Sequence, residues 1–218
     1  MSADLFHEAI EKGDAARLAE LLATDPSLAG ARDSNRVSPV MKALYHRHPE
    51  LVPALVAVAP PLDVFEAAAT GDLERLGTLL AADPSLAKAR SADGGTALHF
   101  AAFFAQPECA RRLLATGADP SVHATGFGGV APLHSAVASR SHAIVAMLLD
   151  AGADPNARQE RGYRPLHGTA FHGLTETADL LIAHGADPTL KDDSGADAAD
   201  LAEKAGNAAF AAHLRAGR

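Results

Sequence analysis

"TALHFAAFFAQPECARRLLATGADP", residues 96–120, reads as two short helical segments separated by a polar break and closed by a glycine. Ala-rich LHFAAFFAQ is the first. PECARRLLATG is the second, with proline in its first turn and glycine past its end, the asymmetry expected of helix termini. Both landmarks recur. GADP returns at 152–155 and 185–188, steps of 35 and 33, while TALH at 96 is followed by APLH at 131 and RPLH at 164. A fixed period of this size is the signature of stacked supersecondary units. A further 33 residues leads to DAADLAEKAG at 197, a more polar version of the same start.

Towards the N-terminus the echo lengthens. EKGDAARLAELLATDPSLAGAR at 11–32 matches ATGDLERLGTLLAADPSLAKAR at 69–90 at a shift of 58, and SPVM at 38 lies 58 before TALH. One full unit plus a truncated one accounts for that shift. The truncated unit runs from Ser38 to about Pro61, where APPL stands in place of the usual loop. Polar glycine-containing stretches such as SADGG and QERGY supply the turns. The large apolar residues of the second segments, Leu113, Leu114, Met147, Leu148, Leu149, Leu180, Leu181 and Ile182, form a core that no unit can bury alone, so stability must come from stacking.

These motifs resemble the ankyrin repeat, in T-x-L-H-x-A-A, the LL-x-x-G-A-D exit and the 33-residue step. The resemblance implies an all-α solenoid of helix-turn-helix units with protruding turns. It predicts one domain over residues 1–218, with seven units beginning near Asp4, Ser38, Leu62, Thr96, Ala131, Arg164 and Asp197, the last a C-terminal cap. The first three depart from the pattern, with DPSLA in place of GADP, which leaves the curvature around residues 55–65 open.

The register then assigns the aromatics, which are scarce: eight Phe, two Tyr and no Trp. In the family's fold the two positions before the break lie at the exposed, concave end of the first helix. They read Glu11, Tyr45, Ala69, Phe103, Ala138, Phe171 and Lys204, then Lys12, His46, Thr70, Phe104, Ser139, His172 and Ala205. Phe103 and Phe104 are therefore expected to face a groove, with a notch at Ala138 and Ser139 between them and Phe171 with His172. Phe127 and Tyr163 are expected at turn tips, and His123, Arg158, Glu160 and Arg161 as a polar rim. Exposed apolar patches of this kind mark binding sites. The competing expectation is that Phe103 or Phe171 tucks sideways against a neighbouring unit; loss of both would remove the notch.

Eleven histidines invite thoughts of metal or catalysis. His99, His134 and His167 occupy the repeat's LH position, where the resemblance implies a structural ring that bonds turn backbone and braces adjacent units. No Cys pair or His-x-x-x-His with a nearby carboxylate points to zinc. HATGFGGV follows no strand and lacks the Lys-Ser/Thr ending of a phosphate loop. No cofactor is expected.

Bulk properties narrow the partners. A net charge of −8 argues against nucleic acid, which calls for a basic face. No stretch reaches the roughly 20 apolar residues of a membrane span, and MSADLFHEAIEKGD lacks the basic start and apolar run of an export signal. The lone Cys109 fits a reducing compartment, so a cytoplasmic monomer is expected. Two functions stand: a scaffold that binds a partner protein or extended peptide along the groove and turn fingers, or a small-molecule or catalytic site around Ala138 and Ser139 flanked by Phe103, Phe104, Phe171 and His172, with His172 or His123 as acid or base.

Overall fold

The computed structural model describes residues 2–216, apart from the side chains of Ser2 and Phe127. Those residues form fourteen α-helices and no strand, in consecutive antiparallel-type pairs. The pairs are α1 (Ser2–Lys12) with α2 (Ala15–Thr24), α3 (Pro39–Tyr45) with α4 (Val52–Val56), and α5 (Val64–Thr70) with α6 (Leu73–Ala82). They continue as α7 (Ala97–Phe103) with α8 (Pro107–Ala115), α9 (Pro132–Ala138) with α10 (His142–Asp150), α11 (Pro165–Thr169) with α12 (Thr175–Ala183), and α13 (Ala198–Lys204) with α14 (Ala208–Ala216). The first helices stack on one another along the whole row, from α1 to α13, while α6, α8, α10, α12 and α14 stack behind them.

Residue size explains the two layers. The first helices meet through alanines, Ala67, Ala101, Ala136, Ala170 and Ala202, all fully buried, which lets backbones approach. The second helices supply the larger side chains, with Leu18, Leu76, Leu113, Ile144, Leu148 and Leu181 at 0% exposure in one continuous core. Fully burying each such side chain contributes about 1.5–3 kcal/mol. Cys109 is part of that core, and burial pushes its thiol up to about 11.

The two DPSLA stretches form single-turn helices, Pro26–Gly30 and Pro84–Lys88, capped by the Asp25 and Asp83 carboxylates on the amides of Ser27 and Ser85. A second apolar cluster, Met41, Ala69 and Phe100 with Phe65 and Phe104 partly buried around it, joins the N-terminal units on the inner side.

The break between paired helices is left-handed throughout, and its occupants decide local stability. Gly71 has φ +79, which favours glycine, and a Cβ there would stand 2.4 Å from Gln106 Oε1, so a side chain would also displace the Gln106 amide. At the equivalent breaks Arg47, Ala105 and Arg140 hold φ of 63, 54 and 58. A left-handed L-residue costs about 1–2 kcal/mol, partly offset by the lower unfolded-state entropy relative to glycine. Ala105→Gly should therefore raise unfolding stability by about 0.5–1 kcal/mol, read as a higher urea midpoint at unchanged slope.

Candidate recognition surface

The inner face is built from the ends of the first helices. Tyr45 ends α3 and Phe103 ends α7; because the intervening position is Ala69, buried and small, the Tyr45 ring reaches across it. Its centroid lies 6.4 Å from that of Phe103 and 5.6 Å from that of Phe104, and the two phenylalanines meet edge to face at 5.1 Å. Such pairs contribute about 0.5–1.5 kcal/mol beyond their area, which holds the rings in place. Tyr45, Phe103 and Phe171 remain 39%, 49% and 54% exposed. The packed side of Tyr45 is buried enough to push its hydroxyl up to about 12, with the Asp93 carboxylate adding to the effect.

Phe104 differs from its neighbour. It is half-buried against the cluster of Met41, Ala69 and Phe100, since consecutive helix residues point about 100° apart and only one can follow the groove. Tyr163 is likewise half-buried, its ring 5.4 Å from that of His167, rather than standing at a turn tip. The expectation for Phe127 falls on a side chain outside the described residues.

The single notch expected from the sequence is divided into two cavities, and neither is enclosed. The first, about 300 Å³, is lined by Tyr45, His99, Phe100, Phe103, Val130 and Ser135, with an almost wholly apolar wall. The second, about 270 Å³, lies one unit further along and includes Ala138, Phe171 and His172. Ser139 lines neither: its hydroxyl donates to the Ala102 carbonyl at 2.7 Å and closes the gap between units. Phe104 also lines neither.

The turns are laced to one another. Gly126 N–H donates to the Asp93 carbonyl at 2.7 Å, Glu160 N–H to Gly128 O at 2.8 Å and Asp193 N–H to Arg161 O at 2.9 Å. A Cβ on Gly126 would sit 2.7 Å from the Asp93 carbonyl oxygen, so this approach requires glycine. Arg158 is exposed but committed to Asp193 at 2.6 Å; Glu160 and Arg161 are exposed, Arg161 with φ 61. His46 is exposed at the end of α3.

The histidines divide by burial. In His99, His134 and His167 Nδ1 accepts the amide of the residue capping the same helix, from Thr96 at 3.1 Å, Ala131 at 3.2 Å and Arg164 at 3.0 Å. The proton therefore sits on Nε2. His99 donates it to Val130 O in the next unit at 3.0 Å. The His134 ring is also set against the Tyr163 and Ala157 carbonyls and the His167 ring against those of Leu190 and Ala196, all in the following unit, at looser geometry than the His99 bond. Burial lowers the pKa of all three, to about 4 for His99 and His134. His123, exposed, is fixed by a 2.7 Å contact of Nδ1 with Gly129 O, and His172 lines the second cavity without it. The structure does not bring the two candidate acid-base residues into one cavity.

Among the described residues no helix is long and apolar enough to cross a membrane. Comparison with known proteins places this architecture. A model of three ankyrin repeats matches residues 64–159 and a single ankyrin repeat matches 161–193, together more than half of the chain. Tyrosine-protein kinase Shark of Drosophila melanogaster is 35% identical over 122 residues, 56% of this chain and 13% of that protein. E3 ubiquitin-protein ligase KEG of Arabidopsis thaliana is 35% identical over 98 residues, 45% and 6% respectively. Ankyrin repeat and SOCS box protein 16 of Mus musculus is 38% identical over 118 residues, 50% and 26%. The similarity thus spans a small part of each relative's length.

Proposed function

The chain belongs to the ankyrin repeat family, and from that premise we propose that it is a recognition scaffold, holding an extended peptide or an edge of a partner protein along its inner face. The observation that supports this most is the apolar cavity between Tyr45 and Phe103. Its walls are exposed aromatics that stabilise nothing further by remaining in water, and it is preformed by ring packing across three units. A rigid apolar cavity of this size suits one large side chain of a partner, because little ordering has to accompany binding.

Repeat domains of this family serve in general as protein-interaction modules; the partner of this chain is what the proposal adds. Selection of binders from a displayed library of random peptides tests it. Enriched sequences should share one large apolar residue, and synthetic versions should compete with one another for a single site. Enrichment of peptides without such a residue, or binding on the outer helical layer, would contradict the reading.

A further inference from the structure

The second cavity has chemistry of its own. Among its walls stand Arg164, His134, His172, Gln159 and Tyr163, every one able to donate a hydrogen bond, and none of the residues lining it is Asp or Glu. One of these side chains carries a donor that the fold leaves unspent. Arg164 Nε is buried without a hydrogen-bond partner. Arg164 uses Nη1 on the Gly162 carbonyl at 3.0 Å and forms no ion pair among the described residues; Asp187 feels its field without touching it. Arg164 thus sets a positive charge into a cavity that holds no acid. A buried donor without an acceptor is destabilising, so an unspent guanidinium N–H beside an acid-free cavity points to an acceptor that arrives with a ligand.

The geometry points to a carboxylate as that acceptor: we infer that the cavity lined by Arg164, His134 and His172 takes a carboxylate carried on an apolar body. A guanidinium fork matches a planar carboxylate, and a single arginine balances a single negative charge. Phe171, Val137 and Pro165 provide the apolar wall against which the body rests. The carboxylate belongs either to a free organic acid or to the C-terminus of a bound peptide. The inference rests on the inner face being the recognition surface, but on a different cavity from the one that carries that reading.

Benzoate and its neutral isostere benzamide are the probes, followed by nitrogen-15 NMR of the full chain. Benzoate at up to about 10 mM should shift the Arg164 Nε–H and His172 ring resonances, with benzamide silent. Arg164→Gln should weaken benzoate by about tenfold or more. Arg164→Lys, which keeps the charge and loses the fork, is the second variant should the first fail to fold, and it should fall between the two. The Tyr45→Ala/Phe103→Ala double variant should bind benzoate unchanged, which separates failure here from failure of the apolar cavity. Equal responses to benzoate and benzamide, no response to benzoate, or a stronger response to inorganic phosphate would overturn the inference. Peptides with a free and an amidated C-terminus distinguish the sources: displacement of benzoate by the free form alone assigns the carboxylate to a chain terminus, and displacement by neither assigns it to a small acid.

Discussion

Acidification from about pH 7 to about pH 5 should remove several kcal/mol of unfolding stability, ahead of most carboxylate titration. The cause is the pair of rings at the LH positions of the two central units. Folding buries His99 and His134 as neutral imidazoles and holds their pKa at about 4, against 6.5 for an unperturbed ring. The unfolded chain therefore binds protons first, and acid favours it. The loss begins as pH falls through the unfolded value near 6.5 and ceases near 4, where the native rings protonate as well. Each ring contributes on the order of 3 kcal/mol across that window. His167, also lowered by burial, acts in the same direction. Against a total of about 5–15 kcal/mol for a domain, this is a large fraction. Urea midpoints at the two pH values measure it, and a difference under about 1 kcal/mol would show that the rings are not held neutral. The depressed carboxylates, Asp33 and Glu11 beside Lys42 among them, lose their contribution as pH falls through their unfolded values of 3.8 and 4.5, mainly below the pH 7 to 5 comparison.

The second large effect concerns binding. Replacing Tyr45 and Phe103 together by alanine should weaken a selected peptide by on the order of 2 kcal/mol or more, about 30-fold. Both rings are substantially exposed, so their loss removes the cavity's walls without opening the core, and the urea midpoint should fall only by the ring pairing that goes with them. Coupling is expected between the two sites, since the rings support each other at 6.4 Å. Titration calorimetry on the parent, both single variants and the double variant reads the effect; equal affinities across the set would place the peptide elsewhere.

Much of this arrangement is legible in the sequence. The steps of 35 and 33 residues between GADP motifs are enough for the helix pairs, because a period fixes which leucines must share a core. The alternation of Tyr45, Ala69, Phe103 and Ala138 along one register column also foreshadows the ring that reaches over a small neighbour. What the register could not supply were contacts set by side-chain direction between units. Phe103 and Phe104 are adjacent and were expected to act alike, yet one stands in the groove and the other leans on Met41 and Ala69. Ser139 was expected in a notch, but its hydroxyl bonds to a carbonyl 37 residues away, which divides that notch. The unspent donor of Arg164 was invisible as well, since a satisfied and an orphaned nitrogen look identical in sequence. One signal was available: Ala105 and Arg140 stand where Gly13, Gly71, Gly173 and Gly206 occupy the break, which marks those turns as strained.

The phase of the stack turns Phe103 outward and Phe100, three residues earlier, inward with 6% exposure. Native Cys109 is buried and its thiol pushed up to about 11, so the parent is a nearly silent background for thiol chemistry. The decisive measurement is the rate at which an uncharged aromatic disulfide reagent modifies Phe103→Cys and Phe100→Cys under native conditions. Modification of Phe103→Cys at close to the rate of a free thiol, with Phe100→Cys slower by about 100-fold or more because reaction waits on local opening, is the predicted result. Equal rates at the two positions, or faster reaction at Phe100→Cys, would contradict it.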